Sequence, residues 1–331
     1  MRLSFLFVLL FSVNAAIAAH PLAAPKRTSL TNSSVKYKTA KKHYVVLSRG
    51  PVRAVIVDNQ AVKEGPVSQH RAGYNGVASL THKSQPSSPF VPFYAGLNYE
   101  HIHDGTLSVN KEKFEPRRFP MELRVIDKHT VEVYQPPTGN WRLESCGRYQ
   151  LLADGTLEYT FECIPRAKTF KQGYIGLFWA SYIHAPKDKA IYFRGSKPNE
   201  KTQWQRAYST RHGLEATHPP QGKLPSLNVD PRFPLTLVNH LSPIRYKSPW
   251  YYGRRKQMAL SFVFRQRDRV WFAKSPTGGG SKNPAWDFQW FVPDYKVGEA
   301  YGMVMRLVYV PWSDRAALQK AVAPHLDALN K

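Results

Sequence analysis

The chain has 331 residues, with 47 Lys+Arg against 23 Asp+Glu for a net charge of +24, enough for one large domain or two smaller ones. No apolar run is long enough to span a bilayer, which excludes a membrane-spanning helix. So strong a positive field draws anions, and among these an acidic polysaccharide suits an exported chain better than nucleic acid does.

Arg2, the apolar run Leu3 to Val13 and the small residues Ala15 to Ala19 have the order of a secretory signal peptide, so 1–19 is expected to be removed and the protein to be secreted or periplasmic. Residues 20–42 lack any apolar period and carry lysines from Lys36 to Lys42, which predicts a disordered basic tether. Short alternating runs then follow one another, each ended by turn residues. They are His43–Leu47, Val52–Val57, Gly76–Leu80, Met121–Ile126, Thr130–Tyr134, Trp141–Leu152, Thr156–Ile164, Tyr174–Ile183 and Ala190–Phe193. The last third adds Leu235–Asn239, Gln257–Phe264, Val270–Ala273, Trp286–Phe291 and Tyr301–Val310. So many strands without intervening helices predict one all-β sandwich or barrel over 43–312. Only Ser313 to Leu329 has helical spacing, with Ser313 as its cap and Pro324 as a kink or break.

The richest stretch is Phe93 to Gly105. If Tyr99 to His103 is extended, Tyr99, His101 and His103 share one face, while Glu100, Ile102 and Asp104 share the other. His101-x-His103 is also a two-ligand unit for a metal, which Glu215 or His218 would complete; whether a metal binds is left open. Asp154-Gly155 between apolar runs reads as a two-residue hairpin. That register sets Cys146 opposite Cys163 as a cross-strand disulfide in an oxidising compartment, and Arg148 on the face of Tyr159 and Phe161. Arg265 to Arg269 reads as a solvated hairpin tip and Gly278-Gly279-Gly280 as a flexible loop.

Several motifs, taken in order, resemble the galactose-mutarotase-like (aldose 1-epimerase-like) family. Asn98 to Gly105, with His103-Asp104-Gly105, resembles its first histidine motif. Gly147 to Leu151 with the Asp154-Gly155 hairpin resembles the strand pair that follows. Leu177 to His184, containing Trp179 and Tyr182, resembles the segment of its second histidine. Asp287 to Asp294 resembles the segment of its catalytic Glu, and Lys296 to Tyr301 its late turn. The resemblance implies a large antiparallel β-supersandwich with one C-terminal helix, and no cofactor. It implies catalysis by His103, His184 and Asp287, with Asp287 as base, His184 as acid and His103 orienting the sugar. His101, Arg148, Trp179 and Tyr182 are the candidate substrate-binding residues. The expected function is carbohydrate-active, by epimerase-like chemistry or by lyase-like chemistry on an acidic polysaccharide. A non-catalytic glycan-binding protein is the alternative.

Overall fold

The computed structural model describes residues 20–107, 112–233 and 240–331. The expected signal peptide and the expected strand Leu235–Asn239 lie outside them. In chain order the strands are β1 (Lys38–Thr39), β2 (Tyr44–Arg49), β3 (Val52–Val57), β4 (Gly76–His82), β5 (Asn98–His103) and β6 (Glu122–Asp127). Next come β7 (Thr130–Gln135), β8 (Leu143–Leu151), β9 (Leu157–Pro165), β10 (Tyr174–Ala180), β11 (Ile191–Ser196) and β12 (Gln203–Ala207). The last are β13 (Thr217–His218), β14 (Arg245–Arg255), β15 (Met258–Phe264), β16 (Trp271–Ser275), β17 (Ala285–Pro293) and β18 (Tyr301–Pro311). A four-residue helix α1 (Glu115–Arg118) precedes β6, and α2 (Arg315–Asn330) closes the chain.

The strands form an all-β antiparallel sandwich. One sheet has ten strands in the order β1-β6-β7-β8-β9-β18-β15-β14-β11-β12. The second has five, β13-β16-β17-β10-β5, and β2-β3-β4 form a third. Between the two large sheets lies an aromatic core in which Trp179 stacks on Phe288 at 5.1 Å and on Tyr99 at 5.2 Å. Trp179 is fully buried there and its indole donates to the Tyr159 hydroxyl at 3.1 Å, so it is a core residue and not the substrate contact expected of it.

The hairpin joining β8 and β9 is one residue longer than predicted. Leu151 pairs with Leu157, the Gly155 amide donates to the Leu152 carbonyl, and Gly155 adopts φ +88. This is a three-residue loop ending in a left-handed glycine, the other common way to use Asp-Gly. A slip of one residue turns a strand's side chains over. Cys146 therefore pairs with Glu162 and Cys163 with Ser145, leaving the two thiols on opposite faces, both free and buried. The expected disulfide does not form. Arg148 likewise lies on the face away from Tyr159 and Phe161, where its Nε donates to the buried Glu132 at 2.8 Å.

That outer face is covered from two sides. The apolar stripe of α2, with Leu318, Val322 and Leu329, packs on Val263, Val304 and Val308. Asp314, not Ser313, caps the helix by accepting from the Ala317 amide, and the helix runs on through Pro324. Residues 20–42 cover the other side and are not a tether. Glu162, fully buried, accepts from the Arg27 amide at 2.8 Å, from the amide and hydroxyl of Thr28, and from the Thr31 hydroxyl. Glu132 accepts from the amide and hydroxyl of Ser29. Ala23 bridges to Tyr301, and β1 adds to the sheet edge at β6. The segment is anchored by hydrogen bonds, which leave no hydrophobic period to read.

Candidate functional site

The outward face of the five-stranded sheet carries the titratable groups, and a bulge in β5 decides which. His101 pairs with Phe178 and Tyr99 with Trp179, so Glu100 is the extra residue opposite β10. A bulge interrupts the alternation of side chains and re-aims them. Tyr99 and Ile102 consequently both enter the core, while Glu100 joins His101 and His103 on the other side. Asn75 satisfies the backbone there: its side chain accepts from the Tyr99 amide at 3.1 Å and donates to the Tyr99 carbonyl at 2.8 Å.

Glu100 is the centre of the resulting cluster. Its carboxylate accepts from the Tyr182 hydroxyl at 2.7 Å, from Arg117 Nη1 at 3.1 Å and from Asn98 Nδ2 at 3.3 Å. Burial pushes its pKa up, opposed chiefly by the Arg117 charge. Arg117 projects from α1, whose position is fixed where Glu115 accepts from the Asn140 and Trp141 amides at 2.6 and 3.1 Å. The guanidinium also donates to the Gly73 carbonyl at 2.8 Å and lies 4.1 Å over the Tyr74 ring. Three half-buried tyrosines close over the carboxylate, with ring centroids 4.4 Å (Tyr74–Tyr94), 5.1 Å (Tyr94–Tyr182) and 5.6 Å (Tyr74–Tyr182) apart. The Gly278–Gly280 loop packs against this trio: a Cβ on Gly279 would come 1.9 Å from the Tyr94 ring. Beside it Phe93 stays exposed with Arg71 4.9 Å above it, and Lys113 and Arg118 lie over Phe114.

Asp287 lies on the same face, two strands from Glu100 and so about 10 Å away across β10. It accepts from the Ser181 amide at 3.1 Å and the Ser275 hydroxyl at 3.2 Å. Burial, with the Glu100 charge adding to it, holds its carboxyl well above the usual range. The two acids thus differ in environment: burial disfavours the charge of Asp287 with no cation opposing it, while Glu100 has a guanidinium and a phenol to stabilise its charge. Tyr182, expected from the sequence, belongs to this cluster; Arg117, Glu100, Tyr74 and Tyr94 were not expected.

His101 packs its ring against Phe114 and Phe178, 3.6 Å from the Glu100 carboxylate. His103 is fully buried between Phe233 and Phe291, with its imidazole over Gly176, where a Cβ would come within 2.6 Å of the ring. Neither histidine has a hydrogen-bond partner among the described residues. Burial lowers both, His103 to about 3. Because the unfolded imidazole titrates near 6.5, the unfolded state binds more protons below that pH, so stability falls as pH drops from 6.5 towards 3. At pH 5 this costs about 2 kcal/mol for His103 alone. His103→Leu should therefore melt like the parent at pH 7.5 and be more stable by about that amount at pH 5. Parallel melting curves across this range would show that the imidazole is not held neutral.

His184 does not converge with His103. The two lie eight residues apart along β10 and its extension, roughly 26 Å at strand rise, since Gly176 is the residue opposite His103. His184 sits instead beside Arg255 and Lys256. The metal reading fails for a similar reason: His218 turns into the core against Phe193 at 4.8 Å. Among the described residues no group of three or more metal-ligating side chains comes together.

No family model matches the chain, and no curated protein matches it. Solved structures do. The Slr1438 protein from Synechocystis sp. PCC 6803 is similar at 9% identity and a TM-score of 0.47, over 84% of this chain and 99% of its own. A protein from Escherichia coli K12 provisionally named an aldose 1-epimerase is similar at 9% identity and a TM-score of 0.44, over 81% and 99%. The heparan sulfate lyase HepC from Pedobacter heparinus is similar at 12% identity and a TM-score of 0.36, over 87% of this chain but only 39% of the lyase. The likeness is one of overall chain path. No residue role is carried over from these proteins.

Proposed function

We propose that this chain acts on a carbohydrate, specifically an anionic polysaccharide or its fragments, at the tyrosine-roofed Glu100 site. The observation that carries the reading is the Tyr182 hydroxyl held on the buried Glu100 carboxylate with Arg117 alongside. Aromatic faces suit the apolar faces of sugar rings. The cations ranged over Phe93, Phe114 and Tyr74 suit acidic groups on the chain, and the charge of +24 steers such a polymer to the surface. A phenol bonded to a carboxylate is equipped to pass a proton, with Tyr182 meeting the substrate and Glu100 taking up the charge change. Arg117 balances that charge and can meet a uronate carboxylate. This favours lyase-like proton abstraction beside a uronate carboxylate over ring opening of a free aldose, for which Asp287 is too deeply buried. Export through residues 1–19 belongs to the same proposal.

Glu100 already has three hydrogen-bond donors, which favours one second reading: a glycan-binding protein without catalysis. Incubation with uronate-containing polymers separates the two. The enzyme reading expects the ultraviolet absorbance of unsaturated uronide products, reduced by at least about a hundredfold in Tyr182→Phe while binding persists. Binding without product from the parent protein supports the second reading. Failure to bind any acidic glycan overturns both.

A further inference from the structure

On the far side of Tyr182 the same extended strand reaches His184, about 7 Å further on, at the wall of a cavity of about 500 Å³. The cavity opens between β4, with the turn at Pro66–Gln69 before it, and the turn that joins β14 to β15. Its polar lining is Arg255, Lys256, His184, Gln69, Ser87 and neighbouring serines, and no Asp or Glu lines it. We propose that this cavity binds a tetrahedral oxyanion, sulfate or phosphate, either free or carried as an ester on a glycan.

Three observations converge on it. Arg255 is only 9% exposed, yet its donors meet neutral acceptors: Nε gives to the His184 carbonyl at 2.7 Å and Nη1 to the Ser87 hydroxyl at 3.3 Å. Burying a guanidinium without a counter-charge costs several kcal/mol, so such groups are ordinarily paired. Burial lowers its pKa, and the opposing contribution comes from the Tyr309 phenol and not from a carboxylate. Lys256 donates to the same Ser87 hydroxyl at 2.7 Å, so two cations share one neutral oxygen. Lys256 also holds φ +53, a left-handed conformation that lysine rarely adopts and that a hairpin turn ordinarily gives to Gly or Asn. Such strain persists where the position serves something other than stability. Ser87 gives its proton to Gln85 at 2.7 Å, which leaves its oxygen facing the two cations and would let an anion join them. A tetrahedral oxyanion satisfies the Arg255 and Lys256 donors together, and His184 when protonated. The inference does not depend on the chemistry at Glu100.

The test is titration of the whole protein with sodium sulfate and with sodium phosphate, against chloride at matched ionic strength, followed by amide chemical shifts and thermal midpoint. Saturable shifts at Arg255, Lys256 and Ser87 are expected, with affinity at least about tenfold weaker in Lys256→Gln. Arg255→Met should lose the saturable shifts and, in anion-poor buffer, melt no lower than the parent, because it removes an unpaired buried charge. If Arg255→Met does not fold, the solvent-exposed Lys256→Gln decides. Tighter binding of an O-sulfated oligosaccharide than of its desulfated form, at concentrations where free sulfate is silent, assigns the ester; equal response to free sulfate or phosphate assigns the free ion. Shifts that chloride reproduces, or that both variants keep at parental affinity, overturn the proposal.

Discussion

Removal of residues 20–34 should cost the protein a large part of its folding stability. The deletion takes away the four donors on Glu162 and those of Ser29 on Glu132, both fully buried carboxylates. Hydrogen bonds to charged groups contribute about 1.5–3 kcal/mol each, and the uncovered carboxylates regain only water in their place. A loss exceeding about 5 kcal/mol follows, against a typical domain stability of 5–15 kcal/mol. Chemical denaturation of the truncated chain checks this. Glu162→Gln in the full-length chain should reproduce part of the loss, since a neutral amide oxygen accepts these donors less strongly. A truncated chain as stable as the parent would mean that the segment merely rests on the sheet.

Arg117→Met should destabilise the protein by about 3 kcal/mol at pH 8, the cost of leaving one buried charge of a pair. Without the guanidinium, burial raises Glu100 further. The folded state then binds more protons than the unfolded state between about pH 4 and the new pKa, so stability falls as pH rises across that window. The destabilisation should accordingly shrink at pH 5. Glu100→Gln combined with Arg117→Met should lose less than the two single changes added together, which a double-mutant cycle at pH 8 measures. Additive losses would show that the two groups do not sense each other. The single variant should also lose the proposed activity on acidic glycans, because Arg117 orders Tyr74 as well as Glu100.

The sandwich was legible because most of its strands are apolar runs, some of them alternating, ended by turn residues. Val52–Val57 and Tyr301–Pro311 carry their inward faces openly in sequence. The edge strand Gln203–Ala207 and the long β14, interrupted by Lys247 and Pro249, escaped notice because the alternation fails there. The Asp154-Gly155 turn was visible but not its length, and that single residue settled the fates of Cys146, Cys163 and Arg148. At the candidate site, the stretch around Glu100 announced itself by composition. The bulge that turns Glu100 towards His101 did not, because it depends on Asn75, more than twenty residues away. Arg117 sits on a helix of four residues, too short to leave a period, and reaches Glu100 only through the packing of Glu115 under Trp141.

The docking of the first residues also governs when the molecule can be completed. Leu22 and Ala24 bond to Gly302 and Ala300, so the ends of this contact are separated by nearly the whole chain. The donors of residues 27–31 can meet Glu132 and Glu162 once β7 and β9 are in place, whereas Leu22 and Ala24 have nothing to bond until β18 is available. Contacts of such long sequence separation form late and slow folding. Before the segment docks, the face bearing Glu132 and Glu162 is hydrated, and carboxylates, unlike an apolar stripe, tolerate that without inviting a stray strand to pair. Building the lid attachment from charge and hydroxyls thus lets a chain whose beginning and end meet remain soluble until they do.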